Sequence, residues 1–183
     1  MSETESGAAG DAELPTSPEA LLDRLKDLGI DTTTVTHPPV FTVEQAKALR
    51  GELPGSHIKN LFLRNKKGKM WLVTCLEDRQ IDLKALGERI GAGRLSFGSA
   101  DRLMTYLGVQ PGSVTPFAVI NDSDKQVTMV LDSGVLGAGP ANCHPLVNTM
   151  TTAIAPDDLV RFLEAEGHAP QMLDMGAPES PAA

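Results

Sequence analysis

Long apolar runs are missing from this chain. None approaches the ~18 residues that read as a membrane-spanning helix, so no membrane partner is expected. The opening MSETESGAAGDAELPTSP is acidic and small-residue-rich. It has neither the basic start nor the apolar centre of a secretory signal. Cysteine is scarce: Cys75 and Cys143 are the only two, too few for a disulfide framework, and they read as thiols of a reducing, cytoplasmic compartment. The glycine patterns that cradle phosphates, GxGxxG and GxxxxGK followed by Ser or Thr, are absent, which removes dinucleotide-binding and P-loop readings. GxSxG is absent too, and no Ser-His-Asp arrangement can be read off. Cys75, Cys143, His57 and His144 fall at no recognised metal-ligand spacing. No metal and no cofactor is expected.

What remains is an ordinary globular composition. The 183 residues are 41% hydrophobic and 22% charged, enough for one domain with a sizeable core. The net charge of −8 opposes a nucleic-acid partner until it is mapped. Residues 47–102 hold 12 of the 16 Lys/Arg but 6 of the 24 Asp/Glu, a local balance of +6 against −14 elsewhere. Phosphate binding follows local potential rather than the total. The same charges on solvated helix faces would need no partner, and on charge alone the two readings stand level.

The pattern predicts tails at 1–16 and 176–183 around one domain, 17–175. Ser17 and Pro18 open a helix with Leu21, Leu22, Leu25 and Leu28 on one face and Gly29 at its stop. TTTVTH, 32–37, reads as a strand ended by Pro38-Pro39. Thr42 and Gln45 form a capping box for a helix ending at Gly51. Residues 57–64 and 69–76 make a hairpin around NKKG. Helices follow at 83–90, capped by Asp82, and after Ser99, stopped by Gly108. Residues 117–120, 126–131 and 145–154 read as strands, and a last helix starts at Pro156. Hairpins mixed with helices imply an α/β fold with a mixed, largely antiparallel sheet.

Three stretches hold residues suited to chemistry. In GSHIKNLFL, Lys59 heads the apolar face of Leu61 and Leu63. Its ammonium either snorkels to the rim or meets an anion or carbonyl oxygen. In VQPGSVTPF, 109–117, Gly112 permits close backbone approach and the N–H groups of Ser113 to Thr115 could face an oxygen; an ordinary Pro-Gly turn is the plainer reading. In GAGPANCHPLVNT, His144 stands at a strand mouth, suited to a substrate or to tying the loop to itself. Cys143 is a poor nucleophile for it, because strand neighbours point to opposite faces.

Taken in order, THPPVFTVEQA, GSHIKNLFL, GSVTPF and CHPLVNT resemble the YbaK-type prolyl-tRNA editing family, over about residues 18–175. The resemblance implies a mixed, curved sheet flanked by helices. It also implies hydrolysis of wrongly charged tRNA for proline, with the tRNA acceptor end as partner and no DNA. The family's lysine matches Lys59 and its polar neighbour matches Asn60. Its GxxxP loop matches Gly112, Ser113, Val114, Thr115 and Pro116, and its histidine matches His144. By this likeness Lys59, Gly112, Ser113 and Thr115 are expected to be catalytic, and Asn60, Val114, Pro116 and His144 to bind substrate. Arg50, Arg64, Lys66, Lys67 and Lys69, in the basic third, are expected to face tRNA. The chain looks most like the free-standing deacylases that clear alanine. Alternatives are the sister type that clears cysteine, a non-catalytic module binding tRNA or a synthetase, and a hydrolase of free aminoacyl esters. Prolyl-tRNA synthetase or a translation factor is a further expected partner.

Overall fold

A computed structural model describes residues 14–39 and 55–176. The helix expected after Thr42, and Arg50 with it, lie outside the described residues. Among those described, the helices are α1 (Pro18–Asp27), α2 (Leu83–Arg89), α3 (Ala100–Leu107) and α4 (Pro156–Ala165). The strands are β1 (Thr32–Thr36), β2 (Ser56–Arg64), β3 (Met70–Leu76), β4 (Ser96–Phe97), β5 (Val127–Asp132), β6 (Ala141–Cys143), β7 (Met150–Ile154) and β8 (Gln171–Leu173). The helix ends follow from local chemistry. Ser17, Asp82 and Ser99 accept from N–H groups in the first turns of α1, α2 and α3, and Gly108 closes α3 in the left-handed conformation.

The strands join in the order β1-β7-β6-β2-β3-β5-β8, with β4 also on β2. β2·β3, β2·β4, β1·β7 and β6·β7 are antiparallel, whereas β2·β6, β3·β5 and β5·β8 are parallel. The sheet is therefore mixed, with a larger parallel share than hairpins alone suggest. β3 is central, and six of its seven residues are buried, because both faces of the sheet are covered. On one face Phe62, Leu72, Met129 and Leu131 pack with apolar residues of α1, α3 and α4. On the other, Leu63, Trp71, Val73 and Val130 meet Leu86 of α2.

Two predicted strands are corrected. Residues 117–120 lie in a 3-10 helix, Pro116–Asn121. Thr115 caps it by accepting from the Phe117 N–H at 3.3 Å. Pro116 sits at its first position, and these start signals override the β-branched run. The strand expected at 145–154 is confined to Met150–Ile154. Leu146 is left-handed (φ 72°) and its N–H donates to the His144 carbonyl at 2.9 Å, so the chain turns there. β4, β6 and β8, of two or three residues each, carry no readable pattern. Leu14, placed in the N-terminal tail by sequence, packs against the main core, and Thr16 Oγ1 donates to Asn121 Oδ1.

Candidate functional site

The site begins with a gap in an edge. The His57 carbonyl accepts from Glu77 N–H on the β3 side. The even-numbered residues of β2 therefore turn their backbone groups the other way. There Ser56 N–H donates to Pro140 O at 2.8 Å and Gly98 N–H donates to Phe62 O at 2.9 Å. β6 pairs with Ser56 and His57, and β4 pairs with Leu63 and Arg64. Between them the main-chain N–H and C=O of Asn60 face a stretch that no described strand covers.

The Gly112–Pro116 loop is fastened beside that stretch by the Asn60 side chain. Asn60 Nδ2 donates to the Val114 carbonyl at 3.1 Å. Its Oδ1 accepts from Thr74 Oγ1 at 2.6 Å, and Thr74, its partner in the β2·β3 register, is wholly buried. Gly112 has φ 91°, a conformation suited to glycine, and a Cβ there would stand 3.7 Å from Asn148 Nδ2. The Ser113 N–H is committed to the Gln110 carbonyl at 2.9 Å. The Thr115 hydroxyl is committed to its cap, and Pro116 is buried. The Val114 and Thr115 N–H groups meet no acceptor among the described residues. Thr115 is wholly buried, so the N–H of half-buried Val114 is the loop's candidate donor to a developing oxyanion.

His144 adds an imidazole. Its Nδ1 lies 3.0 Å from the Met150 carbonyl, so Nδ1 carries the proton and Nε2 the lone pair. Burial pushes its pKa below the ordinary value; the Met150 carbonyl opposes this, and neighbouring His37 adds to it. The two ring centroids are 6.4 Å apart. His37 is held by the Pro38 carbonyl at 2.8 Å and by Thr151 Oγ1 at 2.7 Å.

Lys59 alternates with Asn60 and so points to the opposite face of β2. It lies opposite Cys75 in the register, and its Nζ donates to the Arg79 backbone carbonyl. Lys59 is half-buried, and that carbonyl takes one of the three N–H groups of its ammonium. Asn60, not Lys59, is the residue of this pair that touches the loop. The cysteines offer no thiolate: burial pushes Cys75 up to about 11 and Cys143 to about 12. No cluster of metal-ligating side chains occurs among the described residues, and no described helix is long and apolar enough to cross a membrane.

Lys66, Lys67 and Lys69 are exposed at the β2–β3 turn. With Asn65, Arg94 and residues 91–93 they line a cavity of about 600 Å³. Asn65 ties the two segments together, donating to Ala92 O at 3.0 Å and accepting from the Lys67 and Lys69 N–H groups. At ~3.3 Å per strand residue the turn lies roughly 20 Å from Asn60. Arg64 stands apart from these exposed cations: it is half-buried, and its Nε is buried without a hydrogen-bond partner.

Sequence reasoning missed His37, Thr74, Asn148 and Arg94. The hairpin register could have given Thr74, since it faces Asn60. The other three reach the site or the patch only through tertiary contacts.

The aminoacyl-tRNA editing domain family matches residues 37–162. Prolyl-tRNA editing protein ProX of Acetoanaerobium sticklandii is 36% identical over 158 residues, covering 86% of this chain and 96% of that protein. Prolyl-tRNA synthetase associated domain-containing protein 1 of Mus musculus is 42% identical over 159 residues, covering 84% and 94%. The Danio rerio protein of the same name is 40% identical over 174 residues, covering 93% and 95%. A solved structure described provisionally as a trans-editing enzyme for prolyl tRNA synthetase superposes with TM-score 0.68 at 20% identity, covering 88% and 98%. That likeness concerns the fold.

Proposed function

Because the chain belongs to the aminoacyl-tRNA editing domain family, we propose that it hydrolyses the ester of mischarged Ala-tRNA(Pro). The observation that carries this reading is the Gly112–Pro116 loop fastened through Asn60 to a strand edge that no described strand covers. An aminoacyl ester is already activated. Its hydrolysis needs positioning and charge stabilisation more than a strong nucleophile. The Val114 N–H receives the acyl carbonyl oxygen. The Asn60 main chain and the His144 Nε2 lone pair are suited to the α-amino group. Lys59, on the other face of β2, keeps two N–H groups for the terminal nucleotide's phosphate. The family resemblance implies that the free ribose hydroxyl of the substrate helps activate water, in keeping with buried, neutral thiols.

Lys66, Lys67, Lys69 and Arg94 bear on the tRNA phosphates. Selectivity comes from size, since a cramped acyl pocket excludes proline while admitting alanine. Binding alone separates a methylene by only ~1–3 kcal/mol, which is why a second sieve serves here. Deacylation of alanyl, cysteinyl and prolyl esters of tRNA for proline, run side by side, tests the reading. Alanyl ester should disappear fastest. Faster loss of cysteinyl ester would reassign the chain to the sister specificity, and binding without turnover of any ester would remove the activity.

A further inference from the structure

On the face of β2 away from the loop, Lys59 leads to a polar assembly that the reading above does not use. Asp132 ends β5 and is wholly buried. Its Oδ2 accepts from Arg79 Nε at 2.8 Å and from Leu76 N–H at 3.2 Å. Its Oδ1 accepts from Gly134 N–H at 2.9 Å and from Met175 N–H at 3.4 Å. Burial pushes the Asp132 carboxyl up, but the Arg79 hydrogen bond and the backbone donors outweigh it and hold the group below its ordinary value. Arg79 is gripped on two further sides. A Cβ at Gly134 or Gly176 would run into its guanidinium. Its own N–H donates to Leu76 O at 3.1 Å, and its carbonyl accepts from Lys59 Nζ. The turn after β3 is thus anchored through Arg79 to a buried charge, and the anchored carbonyl is the one that holds the ammonium.

We propose that Arg79 and Asp132 are positioning residues for Lys59: their ion pair fixes the carbonyl that aims the ammonium and leaves two N–H groups for the acylated RNA end. This rests on the assignment of Lys59 to the site under Proposed function. A lysine is a point charge on a flexible four-carbon stem, so its aim must come from what it is tied to. A misplacement of about 1 Å in an active site costs on the order of 100-fold in rate.

The test is a double-mutant cycle on the aminoacyl-tRNA that the wild type hydrolyses fastest, with melting temperatures measured alongside. Arg79→Ala should lower kcat about tenfold to a hundredfold, and Arg79→Lys should recover part of the loss by restoring a cation beside Asp132. In a Lys59→Ala background, Arg79→Ala should change kcat less than about twofold, because the group it positions is gone. Additive losses in the double variant, or wild-type kcat in Arg79→Ala, overturn the proposal. Full activity of Lys59→Ala overturns the assignment of Lys59 itself, a separate result that also leaves nothing to position. Should Arg79→Ala fail to fold, Asp132→Asn, which keeps the side-chain shape and removes the charge, completes the same cycle with the same expectation.

Discussion

Asn60 illustrates how a residue type acquires its role from its partners. Its amide donates to the Val114 carbonyl and accepts from Thr74, so both ends serve to hold the loop. Asn60→Asp would turn a donor into a carboxylate oxygen against that carbonyl. We expect kcat to fall by about 100-fold, the scale of a 1 Å misplacement, with a smaller change in KM; a loss confined to KM would make Asn60 a binding group instead. His144 makes a prediction in pH. Its folded pKa is depressed, by burial first and by His37 in addition. The neutral ring with a free Nε2 therefore prevails at neutral pH, and kcat/KM should hold there and fall in acid, below the ordinary value of ~6.5. The unfolded ring binds a proton more readily than the folded one. The stability contribution is therefore present above the unfolded pKa and is lost as pH falls through the folded one. A His144→Ala variant should lose the acid limb that belongs to this group, and a profile with that limb intact would assign it elsewhere.

At the scale of elements, the 3-10 helix after the loop depends on one hydroxyl. Thr115→Val keeps the shape but leaves the Phe117 N–H without its acceptor. The expected loss is about 1 kcal/mol, read from the shift of a denaturation midpoint. The loop was legible in the sequence as a stiff Gly-Pro segment, but the element after it was not, because Phe117–Ile120 has the composition of a strand. The β2–β3 hairpin was legible from its apolar runs and turn, and with it the exposure of Lys66, Lys67 and Lys69. If these lysines contact phosphates, replacing all three by alanine should weaken tRNA binding and reduce the slope of log K against log salt by about 2 to 3. An unchanged slope in a binding titration would free the hairpin tip of that role. Arg94 joins the patch only because Asn65 ties the α2–β4 connection to the turn, a contact across 27 residues that no local pattern announces.

For the whole molecule, buried polar contacts tie together segments far apart in the chain. His168 Nε2 and Asp122 Oδ2 stand 2.9 Å apart with both side chains buried, and Asp122 also accepts from the Gln126 and Val127 N–H groups. Asp122→Ala would leave these buried donors without their acceptor, and we expect a loss of about 1 to 3 kcal/mol in urea unfolding. A loss under 1 kcal/mol would show that the pair is dispensable. By itself the sequence determined the four described helices with the caps at Ser17, Asp82 and Ser99, the hairpin, the basic third of the chain and the family, because each is written in local periodicity, turn chemistry or short motifs. Only the tertiary structure decided that Asn60 rather than Lys59 grips the loop and that the Ser113 N–H is already engaged. It also decided that Lys59 is tied to a turn anchored on a buried carboxylate. Strand alternation separates neighbours by a face, and backbone partners come from segments far apart in the chain, so neither can be read from spacing alone.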